Sequence, residues 1–487
     1  MALADLFARA IDSVRARHSF TALAVAFSGG LDSAVLLRLT AGYCAARALP
    51  LYAFHVHHGL SPNADAWLTH CEAAAAHEEA AARAAAAGAT GSAAAGWPGV
   101  TFAARRVSVA ADGSGTEASA RKARYAALGE LCVEHGVQLL LTAHHADDQA
   151  ETVLLQLLRG SGPAGLSGMD AFNLAPTLLH TNAIMIARPL LAASRAELEA
   201  YAEAQALAWV EDESNADTRY ARNALRHQVM PALAAAFPGY QDRIARAAAH
   251  ARASQHLLDD LAAQDLAACV APADSVAEVA ASVARDAASA APGLICSRVR
   301  ALSVERANNL LRHWFRLHGY AMPSTAWLDE MRSQALDAVD DAQLKVTHPQ
   351  CEVRRHRGQL HLVARTSALP EQGVAFRWQG ESALAFPTFG GTLHFDPAEQ
   401  GLDPAWLRTA GLTLAARSGG ERLKLAHNRP SRSLKQHYQA LGVPTWERER
   451  APLVQAGSRL LYAASIGMDC HHLTAHPGII LRWQPAR

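Results

Sequence analysis

Between the apolar run ALAVAF (residues 22–27) and a second apolar run, the chain places Ser28-Gly29-Gly30-Leu31-Asp32-Ser33. A corner of small residues between a buried strand and a helix lets backbone N–H groups point outward at the helix N-terminus, where the helix dipole favours an anion. Gly29 and Gly30 permit close approach and conformations closed to other residues. Ser28 and Ser33 add hydroxyl donors for phosphate oxygens. Asp32 would be repelled by phosphate unless a cation is shared, and Mg2+ suits such a position. The ordinary alternative is a capping turn with Asp32 or Ser33 as the cap. The corner is neither GxxxxGK[ST] nor GxGxxG.

Four further stretches carry chemistry-bearing residues. HVHHGLSPNADAW (55–67) follows a strand-like run, which puts His55 and His57 at the end where parallel strands meet ligands. EASARKARYAAL (117–128) sets Arg121 and Arg124 on one helical face. TAHHADDQAET (142–152) places His144 and His145 at a strand end, with Asp147, Asp148 and Glu151 opening a helix and Asp148 and Glu151 facing the same way. Residues 211–231 combine Asn215 and Asn223 with Arg219, Arg222 and Arg226. Acids in a first turn complement the helix dipole, and arginines on one face are commonly a solvated stripe. Capping explains one acid of DDQAET, not three. Zinc at His144 and His145 lacks a carboxylate or cysteine at ligand spacing.

These residues need a scaffold, and the first 230 residues alternate strand and helix patterns. Strand-like runs at 22–27, 51–58, 100–109 and 137–145 are each followed by a helical pattern, at 33–48, 63–87, 117–135 and 147–159. The alternation predicts an α/β domain with a parallel sheet covered by helices. Further strands are expected at 183–191 and 208–212, with a helix over 194–206 between them. The 487 residues suit about two to four domains. Boundaries fall near 230 and 400: a catalytic domain over 1–230, a mainly helical middle domain over 231–400 with an Ala-rich insertion near 262–293, and a small mixed α/β domain over 401–487.

Lysine plus arginine and aspartate plus glutamate number 45 each, so any nucleic-acid surface must be local. One such segment is 417–437, where Arg417, Arg422, Lys424, Arg429, Arg432 and Lys435 face a single acid, Glu421, for a local charge of +5. Seven scattered cysteines with no CxxC pair read as reduced thiols of a cytoplasmic protein. The N-terminus is an amphipathic helix rather than a signal peptide, and no window reaches the about 18 uninterrupted apolar residues of a membrane span.

The corner resembles the SGGxDS pyrophosphate loop of the ATP-pyrophosphatase (PP-loop) family, which implies a Rossmann-like parallel-sheet domain and ATP as substrate. Taken in order, SGGLDS, HVHHGL, ARKARY, AHHADDQAET, RGSGPAGLSGM, RPLL and EDESN…RN…R resemble the tRNA(Ile)-lysidine synthetase family over about residues 20–231. The resemblance resumes at 417–454, like that family's C-terminal tRNA-binding domain. It implies ligation of L-lysine to the wobble cytidine of the CAU-anticodon isoleucine tRNA through an adenylated cytidine, releasing diphosphate and AMP. Carried onto this chain, Ser28, Gly29, Gly30, Leu31, Asp32, Ser33, His55 and His57 would bind ATP, with Asp32 also holding Mg2+. Asp32, Arg124, His144 and Asp148 would be catalytic. Asp148, Glu151, Asn215 and Arg226 would bind lysine, with Arg222 competing for the last role. The six cations of 417–437 would hold tRNA. A homodimer is left open, and no membrane partner is implied. The alternative is a PP-loop tRNA thiolation enzyme. Sulfur transfer there generally uses a cysteine pair or iron–sulfur ligands, and Cys44 and Cys71 form no CxxC pair.

Overall fold

Alternate residues of the short apolar runs face two different cores, and this period of two builds the sheet. In β1 (Leu23–Ala26) and β4 (Leu139–Leu141), Leu23, Val25, Leu139 and Leu141 pack into one core, while Ala24 and Leu140 pack into the other. Strands buried on both faces read as continuous apolar runs, as these do. The computed structural model describes residues 2–59, 61–87, 96–108, 116–213, 217–270, 293–337, 344–365 and 369–486. The chain divides into two compact units, Met1–Leu257 and Leu258–Arg487.

In the first unit, β2 (Leu51–His57), β3 (Val100–Arg106) and β6 (Met185–Ala187) join β1 and β4 in a sheet of order β3-β2-β1-β4-β6-β5. All pairings are parallel except that of the edge strand β5 (Phe172–Leu174), which runs antiparallel to β6. Helices α1 (Leu3–Arg15), α2 (Leu31–Ala45), α3 (Ala64–Ala87), α4 (Thr116–Glu134), α5 (Ala146–Leu158) and α6 (Arg195–Ala204) alternate with the strands. α1, α2, α3 and α6 contribute to one core and α4 to the other.

From β1 the chain proceeds outward to β2 and β3, then returns to lay β4 on the other flank of β1. Ligands of open α/β sheets bind beyond the carboxyl ends of the strands at such a reversal. The corner 28–33 leaves β1 there, and the segment 142–148 leaves β4 there.

One expected strand is absent, and one strand present is unexpected. Residues 208–212 form no strand; the Val210 N–H instead donates to the Gly29 carbonyl at 2.9 Å, which explains apolar residues at that place without a sheet partner. The antiparallel edge strand β5 has too few residues to leave a periodic signal. Farther along, Ala221–Ala224 runs into a π-helical turn, Leu225–Val229, and then into Met230–Ala236.

In the second unit, helices Val304–Leu317 and Thr325–Asp337 bury Leu310, Trp314, Phe315, Leu328 and Met331 against antiparallel strands Cys351–His356 and Gln359–Ala364. Within the stretch 231–400, expected to be mainly helical, the described α-helices thus end at Asp337 and antiparallel strands follow. Of the stretch 262–293, the part to Cys269 continues a helix from Tyr240, and 271–292 lie outside the described residues. The C-terminal part is antiparallel, with short helices such as Leu434–Ala440, around a core that includes Leu393, Leu412, Leu414, Tyr438 and Leu453. Among the described residues no helix is long and apolar enough to cross a membrane.

Candidate active site

The corner after β1 is shaped by what cannot be placed in it. Gly29 has φ +85°, and a Cβ there would meet Cys71 Sγ at 2.8 Å and Val210 Cγ2 at 3.2 Å. Gly30 is the N-cap of α2 and brings no side-chain acceptor to the helix's first N–H groups, so the capping reading of Asp32 or Ser33 is set aside. Ser33 Oγ donates to the Gly30 carbonyl at 2.9 Å and lies 3.1 Å from Ser28 Oγ. Leu31 is buried and anchors the start of the helix. Gly29→Ala should therefore lower stability by about 2–3 kcal/mol, from left-handed backbone strain plus overpacking. Adding Cys71→Ala should recover only the packing part, relative to Cys71→Ala alone, in urea denaturation. Full recovery would show that backbone strain is unimportant there.

Asp32 lies in the first turn of α2. Its Oδ2 is 3.5 Å from Arg195 Nη1 and 3.7 Å from His145 Nε2, while its buried Oδ1 has no hydrogen-bond partner. Burial pushes the carboxyl's pKa up, against the opposing charges of His145 and Arg195. A buried, unpartnered carboxylate oxygen beside the glycine-serine corner fits Mg2+, which commonly takes one or two protein carboxylates and completes its shell with phosphate and water oxygens.

β4 delivers the second half. His144 Nδ1 lies 2.9 Å from Thr142 Oγ1. Burial pushes its pKa down to about 3, and nearby Arg188, Arg121 and Arg222 act in the same direction. The imidazole is therefore neutral at physiological pH. His145 caps α5: the Asp148 N–H donates to its Nδ1 at 3.4 Å, and its own N–H donates to Asp148 Oδ2 at 3.2 Å. The remaining His145 Nε2 is buried, 3.3 Å from Asp148 Oδ2 on one side and 3.7 Å from Asp32 on the other. Asp147 is a structural tie, accepting from the Arg195 N–H at 2.8 Å, Gln241 Nε2 at 2.9 Å and Tyr240 Oη at 3.2 Å.

The family resemblance implies Asp148 and Glu151 against an incoming ammonium and Arg226 against a carboxylate. The structure pairs these groups with one another. Arg222 donates from Nε to Glu151 Oε2 at 2.8 Å and from Nη2 to Asp148 Oδ1 at 3.0 Å. Arg226 donates from Nε to Glu151 Oε1 at 2.6 Å, and from Nη2 to Glu151 Oε2 at 2.9 Å and Asp148 Oδ1 at 3.1 Å. Both arginines reach both acids. Asn215 lies outside the described residues.

The other expected residues divide. His55, its pKa pushed down by burial, donates from Nδ1 to the Phe27 carbonyl at 3.0 Å and so braces the end of β1. His57 Nε2 is 3.2 Å from both Arg106 Nη1 and Asp65 Oδ1, partners on β3 and α3 rather than on the corner. Arg121 and Arg124 rest over the Tyr125 ring at 4.9 and 5.5 Å. The charge of Arg121 reaches His144, and that of Arg124 reaches His58 and Arg222. RGSGPAGLSGM is a structural loop: Gln149 grips Met169 through Nε2 to the carbonyl (3.0 Å) and Oε1 from the N–H (2.7 Å). Sequence reasoning missed Arg195 beside Asp32 and the bridging position of His145. The only signal for the latter was a polar residue three positions before an acid at a helix start.

In the second unit, Arg422, Arg429, Arg432 and Lys435 are exposed on or just after the hairpin formed by Arg422–Leu423 and Arg432–Ser433, and Lys424 is half-buried. Arg417 is different, with its guanidinium 5.1 Å over the Tyr438 ring and its Nε buried.

Comparison with known proteins gives three family-model matches: a PP-loop domain over residues 3–233, a TilS substrate binding domain over 294–361 and a TilS substrate C-terminal domain over 412–483. The tRNA(Ile)-lysidine synthase of Burkholderia pseudomallei is 42% identical over 92% of this chain and 89% of that protein. The tRNA(Ile)-lysidine synthase of Ralstonia nicotianae is also 42% identical, over 95% and 93%. Among solved structures, the U34-tRNA thiolase NcsA from Methanococcus maripaludis superposes at TM-score 0.37 and 17% identity over 51% of this chain and 79% of that one. Agreement at this identity runs through the sheet domain and on to the C-terminal strands, and by it the chain belongs to the tRNA(Ile)-lysidine synthase family.

Proposed function

We propose that this chain is a ligase that joins L-lysine to the wobble cytidine of tRNA(Ile) with a CAU anticodon. The cytosine 2-carbonyl oxygen attacks the α-phosphorus of ATP and diphosphate leaves. The side-chain amine of lysine then attacks C2, loses a proton, and AMP departs. The observation that carries the reading is His145, whose one nitrogen stands 3.7 Å from Asp32 and 3.3 Å from Asp148. A corner suited to a triphosphate and a pair of carboxylates suited to an ammonium therefore adjoin.

In this reading the N–H groups and hydroxyls of residues 28–33 hold the diphosphate portion, where developing charge makes oriented donors count most. Asp32 would seat Mg2+, which when bound neutralises phosphate charge. Arg124, with Arg121, would face the α-phosphate. His144, kept neutral by burial, would sit beside the cytosine, and His55 would hold the corner's entry strand. Asp148 and Glu151 would take the lysine ammonium, and the family resemblance adds Asn215 and Arg226 to the lysine-binding residues. An ammonium leaving water needs such partners.

A thiolation reading has weaker support. Cys71, the thiol beside Gly29, is buried and its pKa is pushed up to about 12, so it stays protonated and a poor nucleophile. Mass spectrometry of the reacted transcript separates the two: a gain of one lysine less one water supports ligation, and sulfur in place of oxygen would overturn it.

Arg422, Lys424, Arg429, Arg432 and Lys435 would contact tRNA phosphates, with Arg417 supporting the hairpin through Tyr438. Replacing Arg429 and Arg432 by glutamine should flatten the log-affinity against log-salt slope by about 2. An unchanged slope would remove the hairpin from the interface.

A further inference from the structure

The acid pair carries no uncompensated charge: two carboxylates meet two guanidinium groups, and every carboxylate oxygen accepts a bond. Glu151 Oε1 takes Arg226 Nε, and Glu151 Oε2 takes Arg222 Nε and Arg226 Nη2. Asp148 Oδ1 takes both Nη2 groups, and Asp148 Oδ2 takes the His145 N–H. With the charge already balanced, a further cation is favoured here when one of the arginines gives way. The two are held unequally. Arg226 makes three bonds and forks across both oxygens of Glu151, whereas Arg222 makes two, one to each acid. Bidentate forks are the stronger pairing.

We infer that Arg222 is a place-holder for the ammonium of the incoming amino acid and, once displaced, the residue that selects its carboxylate. The inference rests on the lysine-ligating reading above. The exchange conserves charge: one ammonium replaces one guanidinium at Asp148 and Glu151, and the carboxylate arriving with it neutralises the guanidinium released. Without that carboxylate the displaced Arg222 would stand unpaired within the field of Arg124, whose charge already bears on it. The same seat therefore rejects an amine that lacks the acid group. Here specificity comes from an unpaired charge imposed on the wrong ligand as much as from contacts to the right one.

The test uses the full chain with ATP, Mg2+ and the tRNA(Ile) transcript, and compares AMP release driven by L-lysine with that driven by 1,5-diaminopentane. The wild type should strongly prefer lysine. In Arg222→Ala the preference in kcat/KM should fall by about tenfold or more, the cost of one charge-assisted carboxylate contact, with the loss for lysine chiefly in KM. Arg222→Lys, which keeps the cation and loses the fork, should fall in between. Because both amines are read in the same preparation, a general loss of folded protein leaves the ratio unmoved. A wild-type ratio retained in both variants, or equal use of the two amines by the wild type, would overturn the exchange alone. A wild type that releases diphosphate but never lysine-dependent AMP would overturn the functional reading, and the exchange with it.

Discussion

Asp32→Asn should reduce diphosphate release by at least about a thousandfold, the scale of losing a charge-stabilising group at a phosphoryl centre, while leaving the fold as stable as the parent or more so. The carboxyl sits partly buried with one oxygen unpartnered, and burial holds its pKa above the usual aspartate range. A carboxyl whose folded pKa is raised binds its proton more tightly in the folded state. It is without cost below the ordinary aspartate pKa, and it costs stability increasingly as pH rises through the raised value. The amide is isosteric and has no such cost. Thermal melts should show the asparagine variant gaining on the parent from acid to neutral pH. A variant that loses stability at neutral pH would mean that the contacts with Arg195 and His145, at 3.5 and 3.7 Å, dominate instead.

Glu151→Gln should be costly to both fold and chemistry. Glu151 is 2% exposed and takes three bonds from two guanidinium groups. Removing one partner of a buried pair leaves charge uncompensated, at about 3–5 kcal/mol. Lysine-dependent AMP release should fall more steeply than ATP-dependent diphosphate release. Adding Arg226→Gln removes the stranded cation, so the double variant should regain much of the stability and none of the lysine use. Urea denaturation reads the first effect. A single variant within about 1 kcal/mol of the parent would contradict the buried-pair account, since surface pairs contribute no more than that.

The sheet and its ligand-binding end were legible because strands buried on both faces leave unbroken apolar runs, and because Gly29 occupies a backbone conformation and a space that admit little else. Trp209 and Val210 misled, since a strand-like pair of side chains can equally serve a backbone bond to the corner. His144 and His145 are adjacent, and sequence does not say which one caps α5; the one that does is the one that reaches Asp32. The partners of Asp148 and Glu151 lie more than seventy positions away, on a helix whose π-helical turn departs from ordinary spacing. Periodicity could mark Arg222 and Arg226 as neighbours. Only the folded chain shows that both close on the same two acids.

In the proposed reaction a triphosphate is cleaved at the first bend of the sheet to activate a tRNA base. Diphosphate and AMP should therefore be measured separately, with purified chain, ATP, Mg2+ and the unmodified transcript, first without lysine and then with it. The expected result is transcript-dependent diphosphate in both cases and free AMP only once lysine is added. No diphosphate under either condition, or AMP release indifferent to lysine, would contradict it.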